Sequence, residues 1–160
     1  LAIGGRVITG ANAIAGEWGH NPLPWPRADE LPGPSCFCGR SGCLETWLAG
    51  PALANDHARH GADRVPGHVI VENARAGEPQ ARLTLERWFD RLARGLASVI
   101  NVVDPDVIVV GGGLSAIREL YEEVPARWSS WVFSDHIRTR LVPAKFGDAS
   151  GVRGAAWLWE

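Results

Sequence analysis

The segment formed by residues 16–45 constrains the fold more than any other part of the chain. It contains all three cysteines, Cys36, Cys38 and Cys43, and it also contains His20 upstream of them. Three thiolates and one imidazole form the donor set that a tetrahedral structural zinc prefers. The segment therefore predicts a structural zinc site.

The residues between these donors suit a metal-binding turn. Gly39 and Gly42 can adopt the positive φ angles that bring closely spaced ligands around one ion. The arm between His20 and Cys36 is rich in proline, so we expect it to be stiff and irregular rather than helix or inner strand. Its prolines are Pro22, Pro24, Pro26, Pro32 and Pro34. A bound metal would order an arm that has little apolar surface to bury.

Two other interpretations of the cysteines exist. They could be small core residues, or two of them could form a disulfide and leave one free thiol. Cys36 and Cys38 are too close in sequence to pair comfortably, and an odd number of cysteines argues against a disulfide framework. A chelated metal also fits a reducing, cytoplasmic location, which we therefore expect.

Length and composition limit the class of protein. The chain has 160 residues, and 46% of them are hydrophobic. This is enough for one domain with its own hydrophobic core or for one large half of a two-domain protein. Its formal charge of −2 and pI near 6.2 predict no general attraction to nucleic acid or to anionic lipid. No apolar run is long enough to span a membrane, and no signal peptide is recognisable. The chain begins with Leu1 and has no methionine, so we expect a fragment.

Apolar periodicity predicts a mixed α/β chain. Helices are expected over residues 44–49, from Pro51 to near Gly61, over 68–76, over 78–103, from about Ala116 to Trp131, and over 152–159. Strands are expected as a short hairpin around Gly4-Gly5 within a larger sheet, as a fully buried strand over 107–110, and over 139–144.

The polar and aromatic side chains have conventional interpretations. Residues 56–60, including His57, are interpreted as a solvated helix face. The charged side chains of the long helix are placed mostly on its outer face: Arg82, Glu86, Arg87, Asp90, Arg91 and Arg94. The eight tryptophans are interpreted as core or interface residues rather than as ligand-stacking residues.

A second candidate site follows the predicted strand over 107–110. Gly111, Gly112 and Gly113 come directly after it and precede a predicted helix. This order brings backbone amides close to a phosphate or nucleoside in many α/β proteins. A tight strand-to-helix turn that needs glycine is the alternative, and residues 147–151 form another loop of small residues.

The motifs together resemble a known family. GEWGH followed by CFCGRSGCLE resembles the ROK family of repressors, open reading frames and sugar kinases. DPDVIVVGGGLS and FGDASGVRGAAWL resemble the later, nucleotide-side segments of that family. Within it, GEWGHNPLPW is most similar to the bacterial fructokinase and mannokinase branch.

The resemblance implies a fold and a domain organisation. The fold class would be α/β, as the C-terminal lobe of an actin-like ATPase (ribonuclease H-like) fold with a zinc-binding insertion. Residues 1–160 would form a single C-terminal part of a sugar kinase. Within it, 16–45 would be the zinc-binding and sugar-binding segment, and 104–160 the nucleotide-side segment.

The resemblance also implies roles for individual residues. Glu17, His20 and Glu45 would bind sugar hydroxyls, and His20 would use its other ring nitrogen to bind zinc. The metal ligands would be His20, Cys36, Cys38 and Cys43, and the residues against the adenosine would be Gly111, Gly112, Gly113, Gly147 and Asp148. Carboxylates accept hydrogen bonds from hydroxyls, which suits Glu17 and Glu45, although both could simply be surface carboxylates.

The expected activity is ATP- and Mg-dependent phosphorylation of a hexose, with fructose or mannose favoured, by a homodimeric parent protein. The family's phosphate loops and its Asn-Asp pair with the catalytic base do not occur in this sequence, and neither Asp104 nor Asp106 occupies the position of that base. We therefore expect no catalytic residue here and no activity of the segment alone. The effector-binding half of a ROK-type sugar-responsive repressor is one alternative, and a zinc-stabilised interaction module is another.

Overall fold

The computed structural model describes residues 1–157 of the chain. These residues form short strands, six α-helices and several 3-10 turns. The strands are β1 (Ala2–Ile3), β2 (Arg6–Val7), β3 (Val107–Val110) and β4 (Arg140–Pro143). The helices are α1 (Leu44–Leu48), α2 (Gly50–Arg59), α3 (Gly67–Arg75), α4 (Pro79–Val103), α5 (Leu120–Ala126) and α6 (Ser150–Ala156). No helix within residues 1–157 is both long and apolar enough to cross a bilayer.

Helix α4 is the centre of the hydrophobic core, as its apolar periodicity predicts. The Glu78 carboxylate caps its N-terminus, Pro79 occupies its first turn, and Asp104 ends it in the left-handed conformation. Helices α1, α2, α3 and α5 all pack against it. Its buried apolar face consists of Ala81, Leu85, Trp88, Phe89, Leu92, Ala93, Leu96, Ala97 and Ile100.

Strands β3 and β4 form a parallel pair, with Val107 opposite Arg140 and Val110 opposite Pro143. The prediction that β3 is fully buried is wrong. Alternate side chains of a strand point to opposite faces, and the described helices cover one of those faces. Ile108 packs on the core, whereas the side chain of Val109 is 57% exposed.

The segment after β3 does not form the predicted helix over 116–131. It is divided into a 3-10 turn (Gly113–Ala116), helix α5 and a second 3-10 turn (Trp128–Ser130). Ile117 interrupts it with an extended backbone and a buried side chain, and Pro125 lacks the N–H that would continue α5. The predicted C-terminal helix is observed as α6, and the remainder of that prediction, Leu158 and Trp159, lies outside the described residues.

The predicted N-terminal hairpin is confirmed, because β1 and β2 pair antiparallel around Gly4 and Gly5. In the described residues these strands pair with each other and not with a larger sheet. The core role expected of tryptophan is confirmed for Trp47, Trp88 and Trp128, which are all buried.

A buried ion-pair cluster contradicts part of the outer-face assignment for α4, because Arg91 and Arg94 are buried whereas Arg82 and Glu86 are exposed as predicted. Arg94 is fully buried and makes two hydrogen bonds to the Glu30 carboxylate, at 2.7 and 2.9 Å. Arg91 donates to Glu30 at 2.8 Å and to Asp56 at 2.7 Å. These arginines are not on an outer face, since the proline-rich arm and α2 cover them.

The polar stretch at the end of α2 is only partly solvated, because Asp56 and His57 are buried whereas Arg59 and His60 are exposed as predicted. His57 is 4% exposed, and its Nδ1 lies 2.9 Å from the Thr84 hydroxyl on α4. Asp56 also accepts a hydrogen bond from Arg87. Periodicity separates polar from apolar positions, but it does not identify polar side chains that find buried partners.

The ion-pair cluster predicts an acid-dependent loss of stability. Burial raises the pKa of Glu30, but the hydrogen bonds from Arg94, Arg27 and Arg91 outweigh burial and lower it from 4.5 to about 2. Because the folded-state pKa is depressed, the stabilisation is complete above pH 4.5 and is lost as the pH falls toward 2. Glu30→Gln should lower the free energy of unfolding by about 3 kcal/mol at pH 7, since it removes the buried negative charge that Arg91 and Arg94 share and leaves only Asp56 and Asp90 to pair with them.

Denaturant unfolding at several pH values measures this effect. The difference between wild type and Glu30→Gln should shrink between pH 4.5 and pH 2. Glu119→Gln is the matched control, because Glu119 pairs with Arg75 at 2.7 Å on the surface and should contribute at most about 1 kcal/mol. Equal losses for the two variants would contradict the importance of the buried cluster.

Candidate functional site

The three cysteines lie on a tight turn held by backbone hydrogen bonds. The N–H of Cys36 donates to the carbonyl of Arg40 at 2.8 Å, and Ser35 and Ser41 form an isolated antiparallel bridge. Gly39 and Gly42 have φ angles of +86° and +75°, as the sequence predicts. The turn therefore directs closely spaced side chains toward one side.

A second set of backbone contacts brings His20 to this turn. Pro22 and Cys43 form an antiparallel bridge, and the N–H of Leu23 donates to the carbonyl of Gly42 at 3.0 Å. Gly33 crosses Gly42 so closely that a Cβ at Gly33 would lie 2.5 Å from the Gly42 Cα. The proline-rich arm can pass over the turn because both crossing residues are glycine.

The structure brings all four predicted metal ligands together. The donor atoms of His20, Cys36, Cys38 and Cys43 lie within 4.8 Å of one another. The Cys36 Sγ is 3.5 Å from His20 Nδ1, and the Cys38 and Cys43 Sγ atoms are 3.6 Å apart. A tetrahedral zinc with ordinary bond lengths requires S···S and S···N separations of about 3.6–3.8 Å. The donor set and its spacing fit Zn²⁺, and the three cysteines are free thiols.

The protonation of the thiols depends on their surroundings. A backbone N–H of Arg40 lowers the pKa of Cys38 to about 7, whereas burial raises the pKa of Cys43 to about 11. Thiolates this close repel one another and do not all ionise without a compensating positive charge. A divalent cation would supply that charge, so the site combines soft donors with a need for a cation.

The predicted sugar-binding residues also converge. The second ring nitrogen of His20, Nε2, lies 3.8 Å from the Glu45 carboxylate. The backbone N–H of Gly19 donates to the Glu17 carboxylate at 3.1 Å, and the N–H of Glu45 donates to the carbonyl of Gly19 at 2.9 Å. A Cβ at Gly19 would lie 3.3 Å from Glu17 Oε1 and 3.7 Å from Glu45 Oε2. Two carboxylates and an imidazole nitrogen therefore surround one small residue.

Helix α1 connects this group to the region predicted to lie on the nucleotide side. Glu45 lies in its first turn, and Gly50, just after its end, lines a cavity of about 400 Å³. Gly113, Leu114 and Ile117 line the cavity from the segment after β3, and α3 covers the opposite side. The cavity thus lies between the glycine segment and α3.

The predicted adenosine-side residues are only partly brought to this cavity. Gly113 lines it, whereas Gly111, Gly112, Gly147 and Asp148 do not. The 3-10 turn Gly147–Ala149 packs against the 3-10 turn Gly113–Ala116. The cavity is also lined by residues that sequence reasoning missed: His68, Val71, Glu72 and Arg75. The spacing of these residues in the sequence is that of an ordinary helix surface, so the sequence gives no sign that they line a cavity.

A larger cleft of about 600 Å³ lies at the opposite, amino-terminal ends of β3 and β4. Asp104, Asp106 and Arg140 line it, and it contains none of the predicted site residues. The two aspartates therefore lie at the strand ends away from the glycine segment.

The chain belongs to the ROK family and is similar to sugar kinases of that family. The model of the ROK family matches residues 1–160. An N-acetyl-D-glucosamine kinase of Pectobacterium carotovorum is 38% identical over 162 residues, which cover 99% of this chain and 53% of the relative.

Two solved structures resemble the chain closely. A ROK hexokinase from Thermus thermophilus has a TM-score of 0.78 and 33% identity, over 96% of this chain and 50% of the other. A ROK family glucokinase from Streptomyces griseus, in complex with glucose and AMPPNP, has a TM-score of 0.81 and 28% identity, over 98% of this chain and 55% of the other. The predicted fold class is confirmed, and the chain spans about half the length of the curated relatives it matches.

The donor geometry predicts one tightly bound zinc per chain. X-ray absorption at the zinc edge should show three sulfur ligands at about 2.3 Å and one nitrogen at about 2.0 Å. Cys43→Ser should lose most of the metal, because the buried thiolate is one of the four donors. His136→Ala is the control, since His136 is an exposed histidine on the far cleft. A metal-free wild-type protein, or oxygen ligands in place of sulfur, would contradict the assignment.

Proposed function

Because the chain belongs to the ROK family, we propose that it is the sugar-binding and nucleotide-side part of an ATP-dependent sugar kinase. The observation that carries this proposal is the convergence of Glu17, His20 and Glu45 beside the Cys3His donor set. Each carboxylate can accept charge-assisted hydrogen bonds from sugar hydroxyls. An analogue without such a hydroxyl would leave a desolvated acceptor unpaired, which costs about 1–3 kcal/mol.

Zinc would be held by His20 Nδ1 and the three cysteine sulfurs, where it would order the arm and fix the imidazole. With Nδ1 in the donor cluster, Nε2 is the nitrogen that faces Glu45 and open space. Nε2 then carries the proton of the neutral imidazole and donates a hydrogen bond, which complements the acceptor carboxylates. The site can therefore recognise hydroxyls both as donors and as acceptors.

The sugar we favour is an aldohexose, and N-acetyl-D-glucosamine is the first candidate. Its support is the Pectobacterium relative, which is named for that substrate. The glucokinase resemblance supports the same class of sugar. Fructose and mannose, favoured by residues 16–25 alone, are not named in the relatives described above, and both stay in the substrate panel.

The nucleotide would lie against the glycine segment. Gly112 has a φ of +75°, so a turn requirement explains that one glycine. Gly111 and Gly113 have no such requirement, and a Cβ at either would meet no atom within 4 Å. Bare backbone beside open space suits the close approach of a ligand, with Mg²⁺ accompanying the ATP phosphates. Packing within the described residues does not account for these two glycines.

The catalytic base would come from the remainder of the kinase, so this chain alone would be inactive. Asp104 and Asp106 lie at the strand ends opposite the glycine segment, which supports their exclusion. The effector-binding half of a sugar-responsive repressor is a second candidate. The open glycine segment beside a cavity favours the enzyme, because an effector site needs only the sugar-binding residues.

A sugar panel with the whole protein tests the proposal. ADP release should depend on N-acetyl-D-glucosamine, glucose, mannose or fructose, and we expect the highest kcat/KM with N-acetyl-D-glucosamine. Absence of sugar-dependent ADP release with every sugar would overturn the kinase proposal. Sugar-dependent release from operator DNA would then favour the repressor.

Removal of one charged acceptor should weaken sugar binding selectively. Glu45→Gln is expected to raise the sugar KM about 10- to 100-fold, because one charge-assisted acceptor is lost. Glu122→Gln, an exposed position on α5, is the matched control and should leave the KM unchanged. Steady-state kinetics at saturating ATP measure both variants. An unchanged sugar KM for Glu45→Gln would contradict its role.

A side chain on the glycine segment should weaken the binding of ATP and leave the binding of the sugar unchanged. Gly113→Val places a side chain beside the 400 Å³ cavity, and its Cβ would meet no protein atom within 4 Å, so the fold should be preserved. The KM for ATP is expected to rise about tenfold or more, while the sugar KM stays constant. Kinetics with each substrate varied in turn give this comparison, and a change in the sugar KM alone would contradict the assignment.

A further inference from the structure

We propose that Gly95 and Trp18 are positioning residues, and that a notch at Gly95 in α4 seats Trp18 and thereby aims Glu17 and His20 at the sugar. This proposal rests on the proposed function, because Glu17 and His20 are the candidate sugar ligands on either side of Trp18 in the sequence. Neither Gly95 nor Trp18 belongs to the donor set or to the group of converging carboxylates.

The position of Gly95 is unusual for a glycine. It lies well inside α4, where glycine is less favourable than alanine, and its backbone is ordinary right-handed helix. A Cβ at this position would lie 2.6 Å from Trp18 Cζ2 and 3.0 Å from Leu44 Cδ2. The absence of a side chain at Gly95 is therefore required by what packs against the helix.

The indole of Trp18 is held in this notch in two ways. Its ring edge fills the space beside Gly95, and its Nε1–H donates to the Gly95 carbonyl at 3.2 Å. The ring is partly buried and packs against the hydrophobic core. A tryptophan side chain has only two rotatable bonds, so a fixed indole restrains the backbone that carries it.

That backbone carries the candidate ligands directly. Glu17 precedes Trp18, and its carboxylate accepts from the N–H of Gly19 at 3.1 Å. The carbonyl of Gly19 accepts from the N–H of Glu45 at 2.9 Å. A shift of Trp18 would therefore move Glu17 and His20 and disturb the contact with Glu45.

The same notch seats the other half of the site. Leu44 is the first residue of α1 and is fully buried, and its side chain also meets the space at Gly95. Leu44 separates the metal donor Cys43 from Glu45 in the sequence. One turn of α4 thus fixes the spacing between the two chain segments that supply the sugar-binding and metal-binding side chains.

Gly95→Ala in the whole protein tests the proposal. We expect the sugar KM to rise about tenfold with the ATP KM unchanged, since small misplacements of binding groups are costly. The affinity for zinc, measured by competition with a chromophoric chelator, should fall because His20 and Cys43 move together with the notch. Gly154→Ala is the control, because Gly154 is also a helical glycine but its Cβ would meet nothing within 4 Å.

A compensating variant separates positioning from general damage. Trp18→Phe removes the ring atoms that would meet the new Cβ, so Gly95→Ala combined with Trp18→Phe should recover part of the lost sugar affinity relative to Gly95→Ala alone. A parallel rise in the KM values of both substrates, or no recovery in the double variant, would overturn the proposal. The proposal would also be overturned if the sugar KM and the zinc affinity of Gly95→Ala matched those of Gly154→Ala.

The zinc measurement keeps the two proposals distinguishable. If the whole protein phosphorylates no sugar, the kinase proposal fails, and chelator competition still decides whether Gly95 positions the donor set. Reduced zinc affinity in Gly95→Ala but not in Gly154→Ala would then support the positioning role, and equal affinities would overturn it.

Discussion

The arm between His20 and Cys43 contains almost no regular secondary structure, so its conformation depends on a few strong polar contacts. At one end, three sulfurs and an imidazole nitrogen converge within 4.8 Å. In the middle, Arg94 donates to the carbonyls of Pro24 and Trp25 and pairs with Glu30. The donor cluster fixes the residues that we propose face the sugar, and the ion pairs attach the arm to α4. Leu23 packs in the hydrophobic core and Trp25 stacks on Trp131, but these two contacts alone would not order the rest of the proline-rich arm if either polar attachment were lost.

The candidate site follows from this attachment. Because His20 Nδ1 lies beside the thiols, Nε2 is left to face Glu45. The backbone of Gly19 connects Glu17 to Glu45, and helix α1 leads from Glu45 to the cavity beside Gly113. The groups proposed to bind metal, sugar and nucleotide are thus linked through consecutive short elements rather than through distant parts of the chain.

Sequence patterns predicted the parts of this structure that local physics determines. The structure confirms that the three cysteines converge with His20, as their spacing predicts. It also confirms the positive φ angles of Gly39 and Gly42 and the apolar face of α4. Long-range pairing was not predictable. The sequence predicts that Arg91 and Arg94 are surface residues. Their partner Glu30 lies far away in the sequence within an irregular arm, so no local pattern indicates the buried ion pairs. The exposure of Val109 and the role of α3 at the cavity depend on tertiary packing and likewise have no local signal.

A crystal structure of the whole protein with zinc and N-acetyl-D-glucosamine would test the central claim most directly. We expect His20 Nδ1 on the metal together with the three cysteine sulfurs. We also expect Nε2 within about 3 Å of a sugar hydroxyl, with Glu17 and Glu45 accepting from neighbouring hydroxyls. A sugar bound away from these three side chains, or a metal bound through Nε2, would contradict it.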